Sequence, residues 1–266
     1  MDNKKTKVKG RAQRVFILMI PIILAVIATV LLAMTMGGGF STPTPTPMTD
    51  EPEATTRSDI PVGIDPENTP DTASKGLSFS VGADGNATVT GLGGCSDRVI
   101  TVPTVTADGA RVTAIADNAF AYATGITEVI LPSGLVTIGD YAFRGSSIEK
   151  VTVVSSVLSI GKGAFADCKH LASIEVDGAN PMYSSKGGVL FNSSGTSLIC
   201  YPAGRKSSTY TIPKSVAEIA DMAFRSCDSL TKIKYEGNKK EWERVSIGSG
   251  NSLLDIISVE VDSSDK

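Results

Sequence analysis

The residues that could do chemistry in this chain are few and oddly placed. It has one histidine, His170, two positions after Cys168. A Cys–His nucleophile needs the two side chains to meet. The recurrence described below turns Cys168 toward an interior and leaves His170 on a turn, so the pair predicts an exposed loop histidine rather than a nucleophile. A second histidine is missing, and with it any zincin motif or His-based metal cluster. Ser-x-x-Lys occurs at Ser147–Lys150, Ser159–Lys162 and Ser229–Lys232. The companion motifs that give it meaning in penicillin-binding enzymes are missing. Gly161-Lys-Gly163 lacks the glycine spacing of a phosphate loop. No Gly-x-Ser-x-Gly elbow occurs, and among the carboxylates no pair stands out for paired-acid hydrolysis. The sequons at Asn86-Ala-Thr88 and Asn192-Ser-Ser194 are read as accidental. These readings predict no catalytic residue, no metal site and no cofactor.

The four cysteines, Cys95, Cys168, Cys200 and Cys227, include no C-x-x-C. That argues against zinc. Disulfides are possible in an exported chain, and four cysteines allow three pairings. Cys168 and Cys227 stand at equivalent repeat positions, where a small apolar side chain suits a buried turn. Buried free thiols are therefore expected.

What positions these residues is a recurrence. Ile115-Ala-Asp-Asn-Ala-Phe120, Ile138-Gly-Asp-Tyr-Ala-Phe143, Ile160-Gly-Lys-Gly-Ala-Phe165 and Ile219-Ala-Asp-Met-Ala-Phe224 share one pattern. Phe120, Phe143 and Phe165 follow one another at nearly equal intervals, and a much longer interval, holding an insertion, leads to Phe224. A period in the twenties marks a stacked solenoid, whose units bury their apolar faces only against one another. Each Phe is read as the plug of a layer, so that Phe120, Phe143, Phe165 and Phe224 should form a single file. The Ile marks a strand-to-turn corner. Leu131-Pro132 and Ile212-Pro213 stop short strands at a second corner.

The strands read apolar-x-x-apolar-x-apolar, at Ile126–Leu131, Ile148–Val153, Leu171–Val176 and Leu230–Tyr235. Alternation sends the residues on either side of the second apolar position outward. One outer face of Glu128, Ile130, Lys150, Thr152, Ser173, Glu175, Lys232 and Lys234 follows, the candidate ligand-binding surface. Glu128 and Lys150 should lie side by side and partly neutralise each other.

Residues 1–14 are rich in lysine and arginine, and the run Val15–Met36 that follows carries no charge. As a helix that run is about 33 Å long, enough to cross a bilayer with the N-terminus in the cytoplasm and the rest outside. A cleaved signal peptide is the competing reading, against which stand the length of the run and the lack of a clear cleavage site. Residues 37–75 are rich in proline from Pro43 to Pro70 and carry more acidic than basic residues. That is the composition of a disordered stalk. The folded domain is expected over 76–266. It begins with a hairpin, Leu77–Val81 and Ala87–Thr90, that lids the first coil. It ends in a cap containing a helix at Lys239–Arg244 and a strand at Ile256–Val261. Its basic and acidic residues nearly balance and form no basic stripe. This argues against nucleic acid.

Ala-Phe-x-x-Cys-x-x-Leu at 164–171 and 223–230, and Ile-Leu-Pro-Ser-Gly-Leu-Val-Thr-Ile-Gly-Asp-Tyr-Ala-Phe at 130–143, resemble the BspA-like (Treponema pallidum-type) leucine-rich repeats of bacterial surface proteins. So do Asn180-Pro-x-Tyr183 through Tyr201-Pro-Ala-Gly204, and Tyr235-Glu-Gly with Trp242 and Ser246–Asn251. The resemblance covers residues 87–261, and coil two departs from it at Gly145-Ser-Ser. It implies an α/β, strand-rich leucine-rich-repeat solenoid, preceded here by a single transmembrane helix and a disordered linker. It also implies a cell-surface role in adhesion or protein binding, with an unidentified protein partner and no catalytic residues. A structural or sensory accessory of a membrane complex is the alternative.

Overall fold

The computed structural model describes residues 73–262. The basic tail 1–14, the apolar run 15–36 and nearly all of the stalk 37–75 lie outside the described residues. Among the described residues no helix is long and apolar enough to cross a membrane.

The described part opens with the expected hairpin, β1 (Ser78–Val81) antiparallel to β2 (Ala87–Gly91). It then winds through paired strands on two faces. One face carries β3 (Val99–Thr101), β5 (Glu128–Ile130), β7 (Lys150–Val153) and β9 (Ser173–Val176), parallel and in that order. The other carries β4 (Val112–Ile115), β6 (Thr137–Ile138) and β8 (Ser159–Ile160), which extend the hairpin in the order β1-β2-β4-β6-β8. Each motif isoleucine of these coils ends a strand of that second face, as its corner role requires.

The motif turn shows why its residue types recur. The residue before Ala-Phe is left-handed in every coil: φ is 59° at Asn118, 57° at Tyr141, 58° at Gly163 and 60° at Met222. The residue two after Phe repeats this at Tyr122, Gly145, Asp167 and Ser226, with φ between 57° and 66°. Two such residues reverse the chain around each Ala-Phe pair. The aspartate stitches coils together. Asp117 Oδ1 accepts the Asp140 N–H at 2.7 Å, and Asp140 Oδ1 accepts the Lys162 N–H at 2.7 Å.

The choice of Gly or Ala after the isoleucine follows from the same stacking. A β-carbon on Gly139 would lie 2.5 Å from the Asp117 nitrogen, and one on Gly248 would lie 2.5 Å from the Asp221 nitrogen. Gly161 is pressed in the same way against Asp140. Glycine stands where the preceding coil presents its own motif turn. Ala116 and Ala220, which follow no such turn, are free to carry a methyl. By this rule Ile247-Gly248-Ser249 is a further, degenerate corner, and its strand pairs parallel with the preceding one.

The insertion is an internal cap followed by a restart. Strands β10 (Tyr183–Lys186) and β11 (Val189–Asn192) form an antiparallel hairpin, and β12 (Ser197–Cys200) runs back along it. Ile160 N–H on the outer edge of β8 donates to Tyr183 Oη at 2.8 Å. The Ile174 N–H of β9 donates to Gly188 O at 3.0 Å. Asn180, buried, donates to the carbonyls of Val154 and Val157. Both sheets of the first stack therefore end here. New sheets follow: β13 (Thr209–Ile212), β15 (Lys232–Asn238) and β17 (Glu260–Asp262) on one face. The hairpin strands β10, β11 and β12 continue into β14 (Glu218–Ile219) and β16 (Ser246–Ile247) on the other. Helices α1 (Lys239–Trp242) and α2 (Ser252–Ile256) complete the described part.

Three expectations are corrected. With only two short helices among the described residues, the domain is a strand-rich β-solenoid of about 8 turns rather than α/β. The final strand is short, because Ser252–Ile256 is helical. The file of rings is broken. Phe120 stacks on Phe143 at 5.3 Å between centroids and Phe143 on Phe165 at 5.4 Å, while Phe224 stacks on Tyr201 at 5.6 Å. Tyr201 holds the Phe position of the inserted coil, since its N–H donates to Ala223 O as that of Phe143 does to Ala164 O. Phe165 belongs to one buried cluster and Tyr201 to another. The last layer is closed by Asn251, whose Oδ1 accepts the Phe224 N–H and whose Nδ2 donates to Ala220 and Gly248 carbonyls.

Candidate functional site

Parallel register sets the outer face. Val99, Glu128, Lys150 and Ser173 form one row across β3, β5, β7 and β9. Thr101, Ile130, Thr152 and Glu175 form the next. Between the rows, Ile100, Val129, Val151 and Ile174 turn inward and are buried. This alternation puts six of the eight expected residues on one four-stranded patch.

The patch is close to neutral and has an apolar centre. Glu128 and Lys150 pair at 3.0 Å, as expected. Ile130 is 44% exposed and Val99 43%, with the threonines 101 and 152 flanking Ile130 in its row. Thr152 and Glu175 are exposed, whereas Ser173 is half-buried. The hairpin tip crowds Ser173, since a β-carbon on Gly188 would lie 2.9 Å from Ser173 Cβ. Ser185 Oγ donates to Glu175 Oε2 at 3.4 Å from the same hairpin.

Lys232 and Lys234 are elsewhere. They project from β15 in the second stack, where Lys232 pairs with Glu260 at 2.6 Å and Lys234 is exposed. The inserted hairpin takes the free edge of β9, so β13 and β15 start a separate sheet. The eight residues are thus two patches, not one face. Motif periodicity alone could not show this, because the break lies in a coil that lacks the motif.

Sequence reasoning missed a groove beside the first patch. Arg98, Thr127 and Glu149 each stand just before a strand, and with Gly125, Ser147 and His170 they line a depression of about 420 Å³. The signal was present in the equivalent positions of these residues, one before each outward pair. His170 is exposed there. Cys168 is turned away from it: its thiol donates to Phe143 O of the preceding coil at 2.9 Å. Burial pushes the Cys168 thiol up to about 11 and that of Cys227 up to about 12, and raises Cys200 well above the ordinary thiol range. All four cysteines are free and three are buried, as expected. Thiols held protonated this way are packing groups. Among the described residues no group of three or more His, Cys, Asp or Glu is placed to hold a metal ion.

A third feature lies on the motif-turn edge. Asp167 accepts from Arg144 Nε at 3.0 Å, Arg225 Nε at 3.2 Å and Ser226 Oγ at 2.6 Å. Partial burial works to raise its pKa, but Ser226, Arg144 and Arg225 outweigh it and hold the carboxyl below the usual range. Lys162, which stands where other coils have aspartate, pairs with Asp221 at 2.9 Å. The Arg225, Ser226 and Lys162–Asp221 contacts bridge the insertion and tie the third motif coil to the fourth, while Arg144 ties the second coil to the third. The Arg144 guanidinium also lies 5.8 Å from the centroid of the Tyr122 ring. It lies 5.5 Å from the centroid of the Tyr141 ring. Both are within the reach of a cation–π contact.

No curated protein matches the chain. Among solved structures, it is similar to a leucine-rich repeat protein from Eubacterium ventriosum, with 23% identity, a TM-score of 0.47, and 58% of this chain and 46% of that one covered. The chain therefore spans less than half of that protein's length. It is similar to a leucine rich cell surface protein from Faecalibacterium prausnitzii, with 19% identity, a TM-score of 0.42, and coverage of 66% and 72%. It is also similar to the T. pallidum leucine-rich repeat protein, with 18% identity, a TM-score of 0.34, and coverage of 68% and 81%. The family of BspA type leucine rich repeat regions matches residues 104–200 and 199–257, in six copies. That match runs through the stacked rings, the inserted hairpin and strands β5, β7, β9 and β15 of the outer patches, and the chain belongs to the BspA-type leucine-rich repeat family.

Proposed function

We infer that this chain is a surface-displayed repeat module that binds a protein partner, in adhesion or cell–cell recognition, and that it does no chemistry of its own. The observation that carries this is the outer patch on β3–β9. It is a four-stranded parallel surface with Ile130 and Val99 exposed among threonines, and its one close charge pair, Glu128–Lys150, is mutually satisfied. Apolar side chains at the centre of a polar surface are what protein interfaces use as anchors. The apolar run Val15–Met36 would hold the N-terminus in the cytoplasm and the module outside, on the Pro-rich stalk.

The test uses residues 73–262, which contain both buried clusters whole. This fragment is offered to intact cells and to purified surface proteins. Ile130→Asp should reduce capture at least about tenfold, an effect within the range of one central interface residue, without shifting the melting temperature. Lys232→Glu with Lys234→Glu asks whether the second patch takes part. No capture of any surface protein by the parent fragment would favour a structural accessory of a membrane complex instead.

A further inference from the structure

The groove beside the outer patch holds charge that the fold itself does not use. It crosses the strands of that face rather than following one. Backbone bonds mark its course: the Thr127 N–H donates to Arg98 O, the Glu149 N–H to Thr127 O and the Ala172 N–H to Glu149 O. Arg98, Thr127 and Glu149 are thus successive rungs of one ladder. Arg98 and Glu149 are both exposed, and both line the depression of about 420 Å³. Neither side chain enters an ion pair or a hydrogen bond among the described residues. The lysines that follow Glu149 and precede His170 are committed elsewhere, Lys150 to Glu128 at 3.0 Å and Lys169 to Asp228 at 3.1 Å. One open cation and one open anion therefore line the same groove, with Thr127 between them.

The spacing selects what can span them. Neighbouring strands lie about 4.8 Å apart, so two rungs from Arg98 to Glu149 make about 9.6 Å. A polyproline II segment presents the same face at every third residue, roughly 9.3 Å apart. A β-extended segment presents it at every second residue, about 6.8 Å apart, and matches neither one rung nor two. Charge complementarity then sets the side chains. A carboxylate suits Arg98, and an ammonium or guanidinium suits Glu149.

We propose that this groove takes a polyproline II-like segment of the partner protein, carrying an acidic residue on Arg98 and a basic residue, three positions away, on Glu149. The inference rests on the reading of β3–β9 as the docking face. It gives that face a selectivity that Ile130 and Val99 do not supply. Apolar anchors accept many apolar surfaces, whereas two opposite charges at a fixed spacing set register and repel a segment that carries one sign at both positions.

Synthetic peptides test this against the full-length chain, solubilised in detergent at low salt. Each is a proline host carrying Glu-Pro-Pro-Arg, Glu-Pro-Pro-Glu, Arg-Pro-Pro-Arg or adjacent Glu-Arg. Glu-Pro-Pro-Arg should bind at least about threefold tighter than the others, within the range of exposed charge pairs. The preference should fade toward 1 M salt, where the screening length is about 3 Å. Arg98→Glu should turn the preference to Arg-Pro-Pro-Arg, and Glu149→Arg should turn it to Glu-Pro-Pro-Glu. A gain of that kind cannot come from a loss of fold. Equal binding of the peptides overturns the proposal, as does no binding of any of them, or a preference that neither substitution redirects. Ile130→Asp should leave peptide binding unchanged, so groove and patch are read separately. Peptides that fail, beside surface-protein capture that Ile130→Asp abolishes, would sink the groove and leave the patch standing.

Discussion

At the scale of the residue, the motif letters report which neighbours a coil has. Gly139 is glycine because the backbone of Asp117 lies where its β-carbon would be. Gly139→Ala should therefore destabilise by about 1–3 kcal/mol, the usual cost of overpacking, as read by chemical denaturation. Ala220→Gly, at the same motif position after the insertion, should cost about 1 kcal/mol or less. Asp167 is the other telling residue, since it holds two arginines and a serine from two coils. Its folded pKa lies below the ordinary range, so the folded state binds fewer protons than the unfolded chain. The unfolded value is about 3.9. The contribution of Asp167 is complete above that value and fades as pH falls through the lower, folded one. Asp167→Asn should cost about 1–2 kcal/mol at neutral pH, discounted for its exposed arginine partners. The gap between variant and parent should shrink below about pH 4. A gap that stays constant as acid is added down to about pH 2 would mean that the charge is immaterial.

At the scale of the element, stability resides in layers. Phe143 stacks between Phe120 and Phe165 and is fully buried, so Phe143→Ala empties a layer shared with both neighbours. A loss of about 3–5 kcal/mol is expected in thermal or denaturant unfolding. A melt indistinguishable from the parent would show that the ring is not the plug. The period of the motif made these layers legible in advance, along with the lid hairpin and the outward rows on β5, β7 and β9. The inserted coil was legible only as strands and turns. Its Tyr201 takes the Phe position without the Ile-x-x-x-Ala-Phe signature. Tyr183 and Asn180 end the first stack through bonds to positions a full coil back along the chain.

At the scale of the whole molecule, the insertion divides one solenoid into two stacks with two buried clusters. The second cluster is the smaller, and it includes the partly buried Trp242, packed on Tyr235 at 5.3 Å. Repeat proteins gain stability from each unit and each interface, so the smaller stack should open first. The chain has a single tryptophan. Its fluorescence should therefore report a midpoint below that of far-ultraviolet circular dichroism, which sees both stacks. Ties across the insertion run through Asp167, Lys162–Asp221 and Lys169–Asp228. Coincident midpoints would mean that they make the two stacks one cooperative unit.

The sequence by itself determined the coil, its family, the inward and outward alternation and the burial of its thiols. All of these follow from short-range periodicity, which repeats wherever the residues repeat. Only the tertiary structure decided that Lys232 and Lys234 stand apart from Glu128, Ile130, Lys150, Thr152, Ser173 and Glu175, and that the file of rings changes hands at Tyr201. The reason is that a sheet continues only while a free strand edge meets another strand in register. At β8 and β9 those edges are taken by Tyr183 and Gly188, through single hydrogen bonds that leave no period in the sequence.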